Sequence, residues 1–258
     1  MSKWGPERPC EICKWQEVPS VCSDEKNLAW GKARNRLADY IVTFDHNPAD
    51  YNLEPRVHIV PEFLCLDDTF WNPDLLVPSN YRLPFQEETV KRYHLVGNFE
   101  SRSSALHRNV KCTHIYLPLI ERLKREGHDV ELMFFTDVPN TKLRYYQAHP
   151  DIVVDMLTFG WFRANVCAAI MLGKPTVRFL RPEWLKHVAQ QLPEYVRDLP
   201  VVSGTPQNIH DVLKDLVESP EKRLEIGKRS RDFAVKWHSA KAAAIRFDRT
   251  CSELLGRR

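Results

Sequence analysis

No stretch of the chain reaches the ~18 consecutive apolar residues that a membrane-crossing helix needs. The first residues, Met1 to Cys13, contain nothing apolar enough to act as an export signal. These absences predict a cytoplasmic protein, with peripheral contact at the inner face of a membrane as its closest approach to a bilayer. A surplus of one charge is missing too. The 258 residues carry 37 Lys and Arg against 34 Asp and Glu, a net charge of +3. That is too little to imply nucleic acid as a partner, although a mildly basic chain suits an anionic ligand. There is no internal repeat and no low-complexity segment. No G-x-G-x-x-G follows the first strand of the regular part of the chain, which ranks a dinucleotide-dependent enzyme low. A G-x-S-x-G elbow and an H-E-x-x-H helix are both absent. The cysteines number seven. An odd count without an export signal predicts a reducing compartment and no disulfide framework. Cys65, Cys112, Cys167 and Cys251 stand among apolar residues, where a thiol behaves as a small hydrophobe.

What is present is an ordinary globular composition, 43% hydrophobic and 28% charged, on a chain long enough for one large domain with a small extension. Residues 28–40 suggest a short basic helix, and 40–44 and 57–60 two strands, the second stopped by Pro61. Residues 66–90, with Pro73, Pro78 and Pro84, show little periodicity and read as a linker or crossover. From Tyr93 onward strands and helices alternate. A strand ends at Val96. Cys112, Ile115, Tyr116, Leu119, Ile120 and Leu123 form one helical stripe, with a kink expected at Pro118 and a C-cap at Gly127. Residues 130–135, 151–155, 176–180 and 199–202 read as strands. Helices are expected over 142–148, over 166–172 (apolar on every side), from Thr205-Pro206 to 218, over 220–237 and over 239–255. The fold class this predicts is α/β: a Rossmann-like parallel sheet with helices on both faces and a small N-terminal extension.

In such sheets ligands bind beyond the carboxyl ends of the strands. Two loops fall there. The first runs from Gly97-Asn98 through Arg102 and Arg108 to Lys111, at the start of a helix. Glycine allows close backbone approach, and three cations beside a helix N-terminus suit a diphosphate. Taken alone, the stretch reads more readily as a solvated basic loop. The second runs from Thr158 through Gly160, Trp161, Phe162 and Arg163 to Asn165, ahead of the fully apolar helix. Its helix N–H groups need partners that a phosphate could supply, and Arg163 could add a fork of donors. Trp161 and Phe162 either stack on a base or sugar or pack in the core.

Several segments together resemble the donor half of retaining GT-B glycosyltransferases. They are Asp151-Ile152-Val153-Val154-Asp155, Gly160-Trp161-Phe162, and Ala169-Ile170-Met171-Leu172-Gly173-Lys174-Pro175-Thr176-Val177. The loop from Val96-Gly97 to Arg102 and the triplet Lys111-Cys112-Thr113 resemble the family's glycine loop and its K-G-T site. Residues 216–255 resemble its terminal helices, and 38–61 the segment joining its two domains. The resemblance implies a nucleotide-diphosphate sugar as donor and a glycan or lipid-linked acceptor. It assigns Arg102 and Lys111 the role of neutralising the diphosphate, with Arg108 a competitor for the Arg role. Donor contacts would come from Gly97, Asn98, Gly160, Trp161, Phe162, Arg163 and Asn165. No resident metal or cofactor is required for transfer. Three features depart from the pattern. The glutamate that holds the ribose in the family is replaced by Ala168, the family's glycine-rich loop by the bulkier Trp161-Phe162-Arg163-Ala164, and the glycine of K-G-T by Cys112. The first departure favours, as the alternative, a non-catalytic nucleotide-sugar-binding or scaffold subunit.

The same resemblance divides the chain into residues 1–60, a remnant of the acceptor-side domain, 61–92, a linker, and 93–258, the nucleotide-sugar-binding domain. Sixty residues are too few for a second Rossmann-like domain, so either a partner chain supplying the acceptor domain or a truncated gene is expected. The last helix carries an apolar face of Ala240, Ala243, Ala244, Phe247, Cys251, Leu254 and Leu255, which either packs on its own sheet or stays sticky. Finally, Cys10, Cys13 and Cys22 give C-x2-C-x8-C, in which two thiolates could share a structural Zn²⁺. A fourth ligand is not evident nearby, and three free thiols are the plainer reading.

Overall fold

The computed structural model of the chain describes Ser20 and residues 23–43, 57–59, 61–81, 90–95, 111–135, 138–158 and 160–256. Gly97, Asn98, Arg102, Arg108, Cys10, Cys13 and Cys22 lie outside the described residues.

Helix α1 (Asp24–Leu37) opens the described chain, its N-terminus capped by the Ser23 side chain. Strands β1 (Ile41–Thr43) and β2 (Val57–Ile59) pair in parallel. The main domain follows: β3 (Val90–Leu95), α2 (Thr113–Arg125), β4 (Val130–Phe135), α3 (Asn140–Gln147), β5 (Ile152–Val154), α4 (Ala164–Met171) and β6 (Thr176–Arg178). It continues with α5 (Pro182–Gln191), α6 (Pro193–Asp198), β7 (Val202–Ser203), α7 (Ile209–Glu218), α8 (Pro220–His238) and α9 (Ala240–Leu254). The sheet is wholly parallel, in the order β4-β3-β5-β6-β7. The first strand of the domain therefore lies inside the sheet, and the chain reverses its direction of growth between β3 and β5. That reversal opens a crevice at the carboxyl ends of these two strands.

The alternation along β5 divides the core. Ile152 and Val154 face α2 and α7, where Tyr116, Ile120, Leu123, Leu213 and Leu216 are buried. Val153 faces the other way, onto Ala169 of α4. Every residue of α4 from Val166 to Met171 is buried, as its unbroken apolar sequence requires. Helix α2 continues through Pro118. It ends where Gly127 takes φ +91°, with the Gly127 and His128 N–H groups donating to the carbonyls of Lys124 and Leu123 at 3.0 and 3.1 Å. Helix α7 begins later than Thr205-Pro206 suggests. A turn comes first, in which Asn208 Oδ1 accepts from the Thr205 N–H at 2.7 Å, and the helix starts at Ile209.

Residues 61–81 pack rather than tether. The Leu66 N–H donates to the His238 carbonyl and the Ala240 N–H to the Leu66 carbonyl, both at 2.8 Å. The Arg231 guanidinium, on α8, donates to the carbonyls of Trp71 and Met171 at 2.8 Å and of Asp68 at 3.0 Å. Trp71 joins the core against α4, α5 and α8. Periodicity misses this segment because backbone carbonyls, not a repeating apolar face, hold it. Helices α5 and α6 also escape the sequence reading. Each starts with a proline in its first turn and buries one or two large side chains, Trp184 and Val188 in α5 and Tyr195 in α6. On α9, Ala243 is buried while Phe247, Leu254 and Leu255 remain exposed. The Arg246 guanidinium anchors the helix to the carbonyls of Trp237 and Lys236 at 2.8 Å. Among the described residues no helix is long and apolar enough to cross a membrane.

Candidate functional site

At the carboxyl rim of the sheet the turn before α2 meets the loop after β5. Lys111 Nζ donates to Asp155 Oδ1 at 3.0 Å, and Arg178, at the end of β6, donates to Asp155 Oδ2. Asp155 and Arg178 are each 1% exposed and Lys111 12%. Burial lowers the Arg178 pKa, and the Asp155 carboxylate opposes that shift. Two further contacts tie the elements together. The Tyr116 hydroxyl donates to the Asp155 carbonyl at 2.7 Å, and the Leu157 N–H donates to Cys112 Sγ at 3.3 Å. Cys112, ahead of α2, adopts φ +62°, the left-handed region where glycine is the ordinary occupant. This is the position of the glycine in the K-G-T pattern, so the cysteine takes a glycine's backbone and adds a buried sulfur contact.

Of the candidate residues, Lys111, Gly160, Trp161, Phe162, Arg163 and Asn165 are described. Gly160 has φ +80°, and a Cβ there would meet Arg181 Cβ at 2.4 Å. The Arg181 N–H donates to the Gly160 carbonyl at 2.9 Å. Glycine is thus required by the backbone and by the approach of the chain after β6. Trp161 and Phe162 are buried, 7% and 4% exposed, and Phe162 packs edge-on against Trp184 and His238. Of the two roles open to them, this structure places both in the core rather than in stacking positions. Arg163 is exposed in extended conformation at the N-terminus of α4, which its side chain does not cap. Asn165, in the first turn, accepts a hydrogen bond from Gln147 Nε2 at 2.7 Å. Ala168 is buried at 3% and presents no acceptor to the rim.

Beneath the loop lies His238, fully buried. Its Nδ1 faces the Leu64 carbonyl at 2.6 Å and its Nε2 the Tyr195 hydroxyl at 2.9 Å. Burial pushes its pKa down to about 4, so the ring is neutral near pH 7 and Tyr195 donates to it.

A cavity of about 650 Å³ opens at the opposite, amino rim, between Asp151, the Gly173–Pro175 turn and the flank of α8. Its arginines are committed to the protein itself: Arg231 as described, and Arg223 to the carbonyls of Leu216 and Val217 at 2.6 and 2.8 Å. The carboxyl rim is the better candidate, since charge there converges beside the crevice between β3 and β5. Among the described residues no group of three or more His, Cys, Asp or Glu could hold a metal ion.

Asp155 and Arg178 were missed as site residues by sequence reasoning. The available signal was a carboxylate closing one buried strand and an arginine inside another, two charges that can be buried only together.

No family model matches the chain, and no curated protein matches it in sequence. Solved structures do. The HepE protein of Anabaena, crystallised with UDP and glucose, aligns over 91% of this chain and 68% of its own, with a TM-score of 0.60 at 13% identity. The fold is GT-B. Sucrose-phosphate synthase from Thermosynechococcus elongatus aligns over 95% of this chain and 66% of its own, with a TM-score of 0.60 at 13% identity. WaaG, a glycosyltransferase involved in lipopolysaccharide biosynthesis, aligns over 91% and 72%, with a TM-score of 0.52 at 14% identity. At such identities the likeness is one of GT-B architecture. The chain spans about two thirds of the length of the first two proteins, 68% and 66%.

Proposed function

We propose that the chain binds a nucleotide-diphosphate sugar at the carboxyl rim and serves transfer of the sugar to a glycan or lipid-linked acceptor. The observation that carries this reading is the Lys111 ammonium, held 3.0 Å from the buried Asp155 beside the sheet's switch point. On the same rim α4 begins at Ala164, and a helix N-terminus directs amides at an anion. The crystallisation of HepE with UDP and glucose supports a donor of this chemical class. In this reading Lys111 and Arg102 meet the charge that grows on the departing diphosphate, a contribution of the kind that dominates such chemistry. Arg108, Gly97 and Asn98 add contacts from the loop after β3, and Arg163, Asn165 and the Gly160 turn from the loop before α4. Side chains supply the positive charge, with no resident metal.

The acceptor is met by a second domain across the cleft, as a GT-B architecture requires. A non-catalytic donor-binding subunit is the second reading, and Ala168, at the position of the ribose-holding glutamate, favours it. Isothermal titration with UDP, GDP, ADP and their sugars tests the binding. Absence of heat with all of them sinks the proposal. Hydrolysis of the bound donor then separates transferase from binding subunit.

A further inference from the structure

Neither the core nor the solvent accounts for the carboxylate that closes β5. Asp155 is 1% exposed, and its oxygens are divided between the Lys111 ammonium at 3.0 Å and the equally buried Arg178. A buried ion pair seldom stabilises a fold better than apolar side chains of the same volume, so its presence calls for another reason. The carboxylate is also held rigidly. The Asp155 N–H donates to the Val177 carbonyl at 3.0 Å, and the Asp155 carbonyl accepts from the buried Tyr116 hydroxyl at 2.7 Å. Asp155 and Arg178 cancel each other's charge. Lys111 is the least buried of the three, at 12%. A lysine in solvent loses most of its rotamer freedom on meeting a phosphate, whereas one already fixed loses little.

We infer that Asp155 is a positioning residue: it holds the Lys111 ammonium at the carboxyl rim for a nucleoside diphosphate, and Arg178 cancels the negative charge that would otherwise repel that ligand. The inference rests on the donor-site reading of Lys111. It makes the trio one device with a net charge of one, in which the anion sets geometry and the buried cation keeps the field positive.

A double-mutant cycle tests it. UDP, GDP and ADP are titrated calorimetrically into the wild-type chain, and the tightest binder is carried through Asp155→Asn, Lys111→Met and the combination. Asp155→Asn is expected to weaken binding about tenfold in the wild-type background and less than twofold beside Lys111→Met, because a residue acting through Lys111 has nothing to act on without it. An equal loss in both backgrounds overturns the inference, and so does unchanged or tighter binding by Asp155→Asn. If the wild-type chain binds none of the three, the donor-site reading falls and this inference with it. If the wild type binds and only Asp155 proves indifferent, this inference falls alone. Should Asp155→Asn not fold, Asp155→Leu with Arg178→Met removes both buried charges together and takes its place, with the same expected losses.

Discussion

The two rims of the central sheet use positive charge in opposite ways. At the amino rim Arg231 and Arg223 direct their guanidinium groups at backbone carbonyls, five in all by the bonds to Trp71, Met171, Asp68, Leu216 and Val217. At the carboxyl rim two cations, Lys111 and Arg178, share the one buried carboxylate of Asp155. The cavity of about 650 Å³ belongs to the first rim. Hollow volume therefore does not separate a ligand site from a seam. What separates them is the partner each cation meets, neutral backbone carbonyls at the amino rim and a shared carboxylate at the carboxyl rim, where charged groups gather.

The sharpest way to break the carboxyl rim is Gly160→Ala. The left-handed backbone costs ~1–2 kcal/mol with a Cβ, and contact with Arg181 at 2.4 Å adds overpacking of ~1–3 kcal/mol. Thermal or urea unfolding should show a loss of about 4 kcal/mol, and a wild-type midpoint would refute the packing described. Arg231→Ala breaks the amino rim instead. It should cost ~3 kcal/mol through three lost charged hydrogen bonds, while the folded fraction keeps its nucleotide affinity. A changed affinity would mean that the rims are not independent.

His238 adds pH to the comparison. Its folded pKa, about 4, lies below the value of 6.5 for an unperturbed ring. The unfolded chain therefore binds the proton first. The contribution is fully present above about pH 6.5, declines as pH falls toward 4 and is flat below. Urea titrations should show a decrease of up to ~3 kcal/mol across that window, absent in His238→Gln. A smaller effect is expected on binding: Lys111→Ala should weaken the diphosphate ~10–100-fold with little change in unfolding midpoint. Smallest is the difference between two substitutions at Cys112. Glycine tolerates φ +62°, so Cys112→Gly should be ~1 kcal/mol more stable than Cys112→Ala.

Elements with a single strong period were legible in the sequence. Strand β4 runs from Val130 to Phe135 as expected, α4 is apolar all round and buried, and the stripe of α7 is buried at Ile209, Leu213, Leu216 and Val217. Helices α5 and α6 were not legible, because a proline at each start reads as a break before it reads as a cap. The candidate site divides in the same way. Lys111 and the Gly160 turn do reach one rim, which chain order alone can suggest for residues that follow parallel strands. The partner of Lys111 could not be read, since Asp155 is 44 residues away and the pairing depends on sheet order. Nor could the reason for Gly160, which lies in the later chain at Arg181.

The seating of Trp71 and Leu66 on the end of α8 bears on how the molecule can be cut. A fragment begun at the first strand of the large sheet would leave two of the three Arg231 hydrogen bonds, those to Trp71 and Asp68, facing water and an indole-shaped hollow beside α4. Proteases should spare residues 61–81 in the folded chain, and a truncated form meant for crystals should keep everything from Pro61 onward.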